Sequence, residues 1–159
     1  MRVQSLACQT DLNLTQFDGQ IIDRGHYLVV VTPSNPTYFW GNYLLFDDPP
    51  SPRDFARWQS LFAAEIGNRP GIVHRAFGWD ASDGRLGHAE PFLAAGFRLL
   101  QSTALRPRDR RPPPKRRDRL AARRVISRYF TDPPGSVPVT DRGGIRHVVR
   151  RVYQRSTGR

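Results

Sequence analysis

The sequence predicts an α/β (α+β) fold, a mixed sheet with covering helices, followed by a basic and mostly disordered tail. Three observations carry this reading. Between residues 20 and 105, short β-branched or aromatic runs alternate with segments of helical spacing. The 9 Phe, 5 Tyr and 3 Trp, within 38% apolar residues, suffice for a packed core in a chain of 159 residues. Charge is segregated: residues 1–105 hold eight Arg against ten Asp and Glu, a net −2, whereas residues 106–159 hold sixteen Arg and one Lys against four Asp, a net +13. The chain therefore divides into a module over residues 1–105 and an Arg/Pro-rich tail over residues 106–159.

The run Tyr27–Val31, closed by Thr32-Pro33, reads as a buried strand, and Ser34-Asn35-Pro36 as a turn. Thr37–Phe46 reads as a second strand, interrupted by Gly41-Asn42. That pair marks either a bulge in one strand or a hairpin turn between two shorter ones. A helix follows the Asp47-Asp48-Pro49-Pro50 break: Ser51 caps it, Pro52 suits its first position, and Asp54 complements its dipole. Its apolar face is Phe55, Trp58, Leu61, Phe62 and Ile66, and Gly67-Asn68 stops it. Ile72–Trp79 reads as a third strand and Asp80–Gly87 as a loop. Glu90–Ala95 is then a short helix, with Gly96 in the left-handed terminal position and Phe97 folded back on the last turn. Leu99–Leu105 closes the module as a strand.

No apolar run approaches the roughly 18 residues of a bilayer span, and the N-terminus lacks a basic-then-apolar leader, so the expectation is a cytoplasmic protein with no integral membrane segment. Cys8 has no second cysteine to pair with. His26, His74, His88 and His147 show no metal-ligand spacing, and no metal is expected.

The bulged strand Thr37–Phe46, the Pro52–Ile66 helix, the Ile72–Trp79 strand and Glu90-Pro91-Phe92-Leu93-Ala94-Ala95-Gly96-Phe97 together resemble the second half of the GNAT fold. Thr32-Pro33-Ser34-Asn35-Pro36, Trp40-Gly41-Asn42 and Phe77-Gly78-Trp79-Asp80 further resemble a GNAT-related bacterial family. The resemblance covers about residues 20–105. It implies transfer of an acetyl group from acetyl-CoA to an amine, with the pantetheine arm against strand backbone at Leu45 and Phe46. The diphosphate would rest at the following helix start, beside Arg53.

The sequence departs from the family where the chemistry would sit. The glycine-rich diphosphate loop is absent: counted from Arg53, its glycine positions fall on Ala56 and Trp58. Pro49, Pro50 and Pro52 remove three N–H donors, and Asp47, Asp48 and Asp54 repel an anion. The family's general-acid tyrosine matches Phe92, which has no proton to give. Glu65, Glu90, His74 and His88 are conceivable bases, but no spacing selects one, and no catalytic residue is assigned. Trp40, Trp58 and Trp79 read as packing residues rather than as a ligand cage. The expectation is a degenerate or truncated GNAT-like module with little activity, supporting a second such module or pairing as a homo-oligomer through an exposed strand edge.

Three readings of the tail stand. Its arginines neutralise nucleic-acid phosphates, making the chain a non-enzymatic nucleic-acid-binding protein. A basic helix over Arg119–Phe130 adheres to an anionic membrane surface. Or residues 106–159, with 16 Arg, one Lys and no Glu, are out-of-frame translation after a frameshift near codon 105.

Overall fold

The computed structural model describes residues 1–106 and 145–155, and its sheet is built outward from β2 (Tyr27–Val31). Leu28, Val29, Val30 and Val31 are all buried, because helices cover both faces of the sheet at this strand. β1 (Gln20–Asp23) and β3 (Tyr43–Phe46) flank it antiparallel. β4 (His74–Trp79) runs parallel to β3, the crossover being α2 (Asp54–Phe62) and a π-helical turn, Ala63–Gly67. After α3 (Glu90–Ala94) come β5 (Arg98–Arg106) and β6 (Ile145–Arg155), giving the order β1-β2-β3-β4-β6-β5. The result is a six-stranded mixed sheet in an α/β architecture, the fold class that the sequence predicts.

Alternation along the strands sends side chains to two cores. On one face Val29, Val31, Leu44, Phe46, Phe77, Trp79 and Val152 meet Trp58, Phe62 and Ile66 of the α2 segment and Phe92 of α3. Trp58 lies flat on Phe46, ring centroids 3.8 Å apart and 3° from parallel. On the other face Leu28, Val30, Tyr43, Leu45 and Ala76 pack against Ala7, Cys8 and Leu12 of α1 (Leu6–Thr15).

α3 ends as expected. Gly96 has φ 86°, the Phe97 N–H donates to Phe92 O at 3.0 Å, and the Gly96 N–H donates to Leu93 O at 3.0 Å. These are the two bonds of a Schellman cap, and the Phe92 and Phe97 rings meet edge to face, 5.6 Å apart. α2 has the predicted apolar face but another cap. The Ser51 N–H donates to Asp54 Oδ2 at 2.8 Å while the Asp54 N–H donates to Ser51 O at 3.1 Å, so the carboxylate three residues on satisfies the turn.

Three features differ from the sequence reading. Thr37–Phe46 is neither one bulged strand nor a hairpin: Phe39–Gly41 is a 3₁₀ turn and only Tyr43–Phe46 is strand. The reason is Asn42, whose Oδ1 accepts the Thr32 N–H at 3.0 Å while Nδ2 donates to Asn35 O and Tyr38 O, both at 2.9 Å. This amide pins the 32–42 loop into a closed turn. α1 has no local signature, because its first amides are capped by a residue far along the chain: Asp80 Oδ1 accepts the Ser5 N–H at 2.9 Å. Finally, the region assigned to the disordered tail contributes β6, paired with β4 from His74↔Arg155 to Trp79↔Arg150. Arginine-rich average composition hides a strand pattern in Val148-Val149 and Val152-Tyr153, which puts Val152 in one core and Tyr153 against the other. The remaining tail, including the basic helix expected over Arg119–Phe130, lies outside the described residues.

A chain ended after Arg106 removes a strand with six register partners on β4 and uncovers Phe77 and Trp79. It is expected to lose its cooperative urea transition, followed by tryptophan fluorescence. An unchanged midpoint would show that β6 is dispensable.

Candidate functional site

The helix start expected to receive a diphosphate lies at the C-terminal end of the parallel β3–β4 pair, where open α/β sheets commonly hold ligands. Its amides are largely used. Pro49, Pro50 and Pro52 have none, the Asp47 N–H donates to His26 O at 3.2 Å, and the Ser51 and Asp54 amides are engaged with each other's residue. Asp47 and Asp48 are exposed there, Asp47 beside His26 Nδ1 at 3.1 Å and Asp48 at 3.9 Å from Arg85. Asp54 also faces Arg57, at 3.3 Å.

The three residues that the resemblance assigns to the cofactor do not share one surface. Leu45 is buried toward α1 and Phe46 toward α2, while Arg53 is exposed before the helix. Leu45 and Phe46 have register partners on both sides, Leu28 and Tyr27 on β2 and Gly78 and Trp79 on β4. The strands do not part beyond them, since the Asp80 N–H still donates to Phe46 O at 2.9 Å.

The conceivable bases are scattered. Glu65 accepts two hydrogen bonds from Arg24, both 2.9 Å, and one from Tyr27 OH at 3.0 Å. Its carboxyl is thereby held below the ordinary range, as a carboxylate engaged on the surface. His88 and Glu90 form an exposed pair at 3.5 Å. His74 is buried between the edges of Phe39 and Phe62, with Nε2 3.0 Å from Asn42 O. A carbonyl only accepts, so Nε2 carries the proton and Nδ1 is bare, buried and without a partner. Phe92 is enclosed by Phe55, Trp58, Phe77 and Phe97, at 5.1–5.6 Å. Trp58 and Trp79 belong to this same core, whereas Trp40 is on the 3₁₀ turn, so the three tryptophans form no cage.

Sequence reasoning missed the one buried cation of the described residues. Arg151, 5% exposed on β6, donates from Nη2 to Asp11 Oδ2 of α1. Its guanidinium carbon sits 4.4 Å from the Trp40 ring centroid and 5.1 Å from that of Tyr43. Opposite it, Gly78 clears the way: a Cβ there would lie 3.2 Å from Arg151 Cγ. Arg151 Nε and Tyr43 OH are buried without a partner in the protein. Nearby Cys8 has its thiol pushed up to about 12 by burial, so it is no nucleophile at neutral pH. The available signal was an arginine inside a β-branched run, lost among fifteen others of its region.

An open cleft of ≈ 280 Å³ is lined by Val31, Pro33, Pro36, Pro70 and Ile72, with Asn42 and Arg69 as polar wall. The Asn42 amide is already spent on the loop, and the volume is below that usual for a drug-sized ligand. Among the described residues, no helix is long and apolar enough to cross a membrane. No family model, no curated protein and no solved structure matches the chain.

Burial holds the His74 pKa below its ordinary 6.5, outweighing the bond to Asn42. In the window just below pH 6.5 the unfolded chain therefore takes up a proton that the folded chain refuses, and stability falls as pH falls. Urea midpoints should drop across this window, and His74→Gln, which keeps a donor toward Asn42, should flatten the drop. A slope unchanged in the variant would assign it to other groups.

Proposed function

We propose that this chain is a GNAT-like module, related to acetyl-CoA-dependent N-acetyltransferases, that does not itself grip the cofactor and serves as support for a catalytic partner module. Support for the relationship comes from a parallel pair, β3 and β4, in a sheet whose adjoining pairs β1–β2, β2–β3 and β4–β6 are antiparallel, with helix α2 starting at the end of β3. The loss of cofactor binding rests on one observation: of the eight residues 47–54, three are prolines and three have amides already bonded within the protein. A diphosphate needs several convergent N–H groups, and here it would meet Asp47, Asp48 and Asp54 instead. With Phe92 in the core, proton donation to a departing thiolate has no source at that position.

A ligand at a hundredfold its Kd raises the stability of a folded protein by about 2.7 kcal/mol. Acetyl-CoA at millimolar concentration is therefore expected to leave the thermal midpoint of the full chain where it was. A saturable rise would overturn the proposal.

A second reading, nucleic-acid binding, is favoured by the net +13 of residues 106–159. Because β6 belongs to the sheet, deleting this region would confound binding with unfolding. Replacement of the basic residues between 107 and 124 by Gln tests it instead. Under this reading, retention on DNA or RNA at low salt falls steeply with added salt and is lost in the variant, while retention unchanged by the replacement excludes it.

A further inference from the structure

The motifs Trp40-Gly41-Asn42 and Phe77-Gly78-Trp79-Asp80 are far apart in sequence and meet around one side chain. Trp40 walls the Arg151 guanidinium, Gly78 makes room for its stem, and Asp80 caps the helix that carries Asp11. A purely structural buried ion pair is expected to have its fork and its neighbours satisfied, because each buried polar atom left unpaired costs about 1–3 kcal/mol. Here the pairing is half made. Arg151 engages Asp11 through Nη2 alone, its Nε donates to nothing in the protein, and the hydroxyl of Tyr43, whose ring lies against the same cation, is also unpaired. An arginine fork with one used prong matches the two oxygens of a carboxylate, and an unpaired hydroxyl on a ring packed against the cation offers a further donor. Asp11 is the movable partner: its side chain is 39% exposed against 7% for Arg151, so it can turn to solvent without dragging the guanidinium along.

We propose that Arg151, walled by Trp40 and Tyr43, is a binding site for a small carboxylate, and that the Asp11 carboxylate is its built-in occupant, displaced when ligand enters. Ligand oxygens would accept from Arg151 Nε and Nη2 and from Tyr43 OH. Trp40 and Tyr43 keep the cation out of bulk water and so strengthen its hold on an anion. This site lies on the α1 face of the sheet and stands independently of the GNAT-like reading.

The test is a titration of the full chain with sodium acetate against sodium chloride at fixed ionic strength, read as the thermal midpoint. A saturable rise is expected in the wild type. In Asp11→Ala, or Asp11→Asn if the former does not fold, the half-saturating concentration should fall by about tenfold or more, because the internal competitor no longer depletes the competent state. Tyr43→Phe, which deletes only the unpaired hydroxyl, should keep the fold and weaken acetate. Absence of a saturable shift in the wild type, or an Asp11 variant no more responsive than wild type, would overturn the site. An equal response to inorganic phosphate would overturn its assignment to carboxylates.

Discussion

Burial of the Arg151 guanidinium is the constraint to which the most distant parts of the chain answer. A cation taken from water loses several kcal/mol of hydration, and removing one partner of a buried pair costs about 3–5 kcal/mol. The structure meets this with groups from four places: Asp11 on α1, Trp40 on the 3₁₀ turn, Tyr43 on β3 and the bare backbone of Gly78 on β4. Asp11 and Arg151 are 140 residues apart. Shifting the body of any of these elements strips the guanidinium of part of its surroundings, so the cluster fixes α1 on its face of the sheet and β6 in its slot beside β4, while the Asp11 side chain, 39% exposed, keeps freedom to turn.

The opposite face is governed by packing, and packing there has displaced chemistry. Phe46 and Trp58 stack, Phe77 and Phe92 lie tilted against Trp58, and Phe55, Phe77 and Phe97 meet Phe92 edge to face at separations typical of aromatic pairs. A hydroxyl placed on Phe92, itself fully buried, would need a partner among rings that offer none. The same closure explains why Leu45 and Phe46 present no free strand edge: a strand covered on both faces and paired on both sides has no backbone left for a ligand arm.

What the sequence disclosed is what short range decides. The Schellman end of α3 needs only Phe92, Leu93, Gly96 and Phe97, and all four stand within six residues. The apolar face of α2 and the buried run of β2 are periodic, hence legible. α1 escaped notice because its cap, Asp80, comes 75 residues after Ser5. β6 escaped because sixteen arginines after residue 105 overwhelm any average, although Val152 is as buried as any residue of β2. In the sequence Gly41-Asn42 reads as a backbone device, whereas its work is done by the Asn42 side chain holding Thr32, Asn35 and Tyr38 together. The Arg151 cluster required all three missed features at once, and no local pattern could have announced it.

The two candidate sites differ in sign, and sign decides which can hold an anion. At the helix start the exposed charges are largely carboxylates, Asp47 and Asp48, and the N-terminal amides that would offset them are bonded to Asp54 and Ser51 or absent at proline. Asp80, at the end of β4, adds another carboxylate, though its oxygens are turned to the first amides of α1. On the α1 face a guanidinium stands in aromatic surroundings of low polarity, where attraction to an anion is many times stronger than in water. Asp80 links the two: its amide closes the β3–β4 pair at Phe46, and its carboxylate anchors the helix that carries Asp11 to Arg151. The residue that seals the expected crevice is thus the one that holds the internal anion in place on the other face.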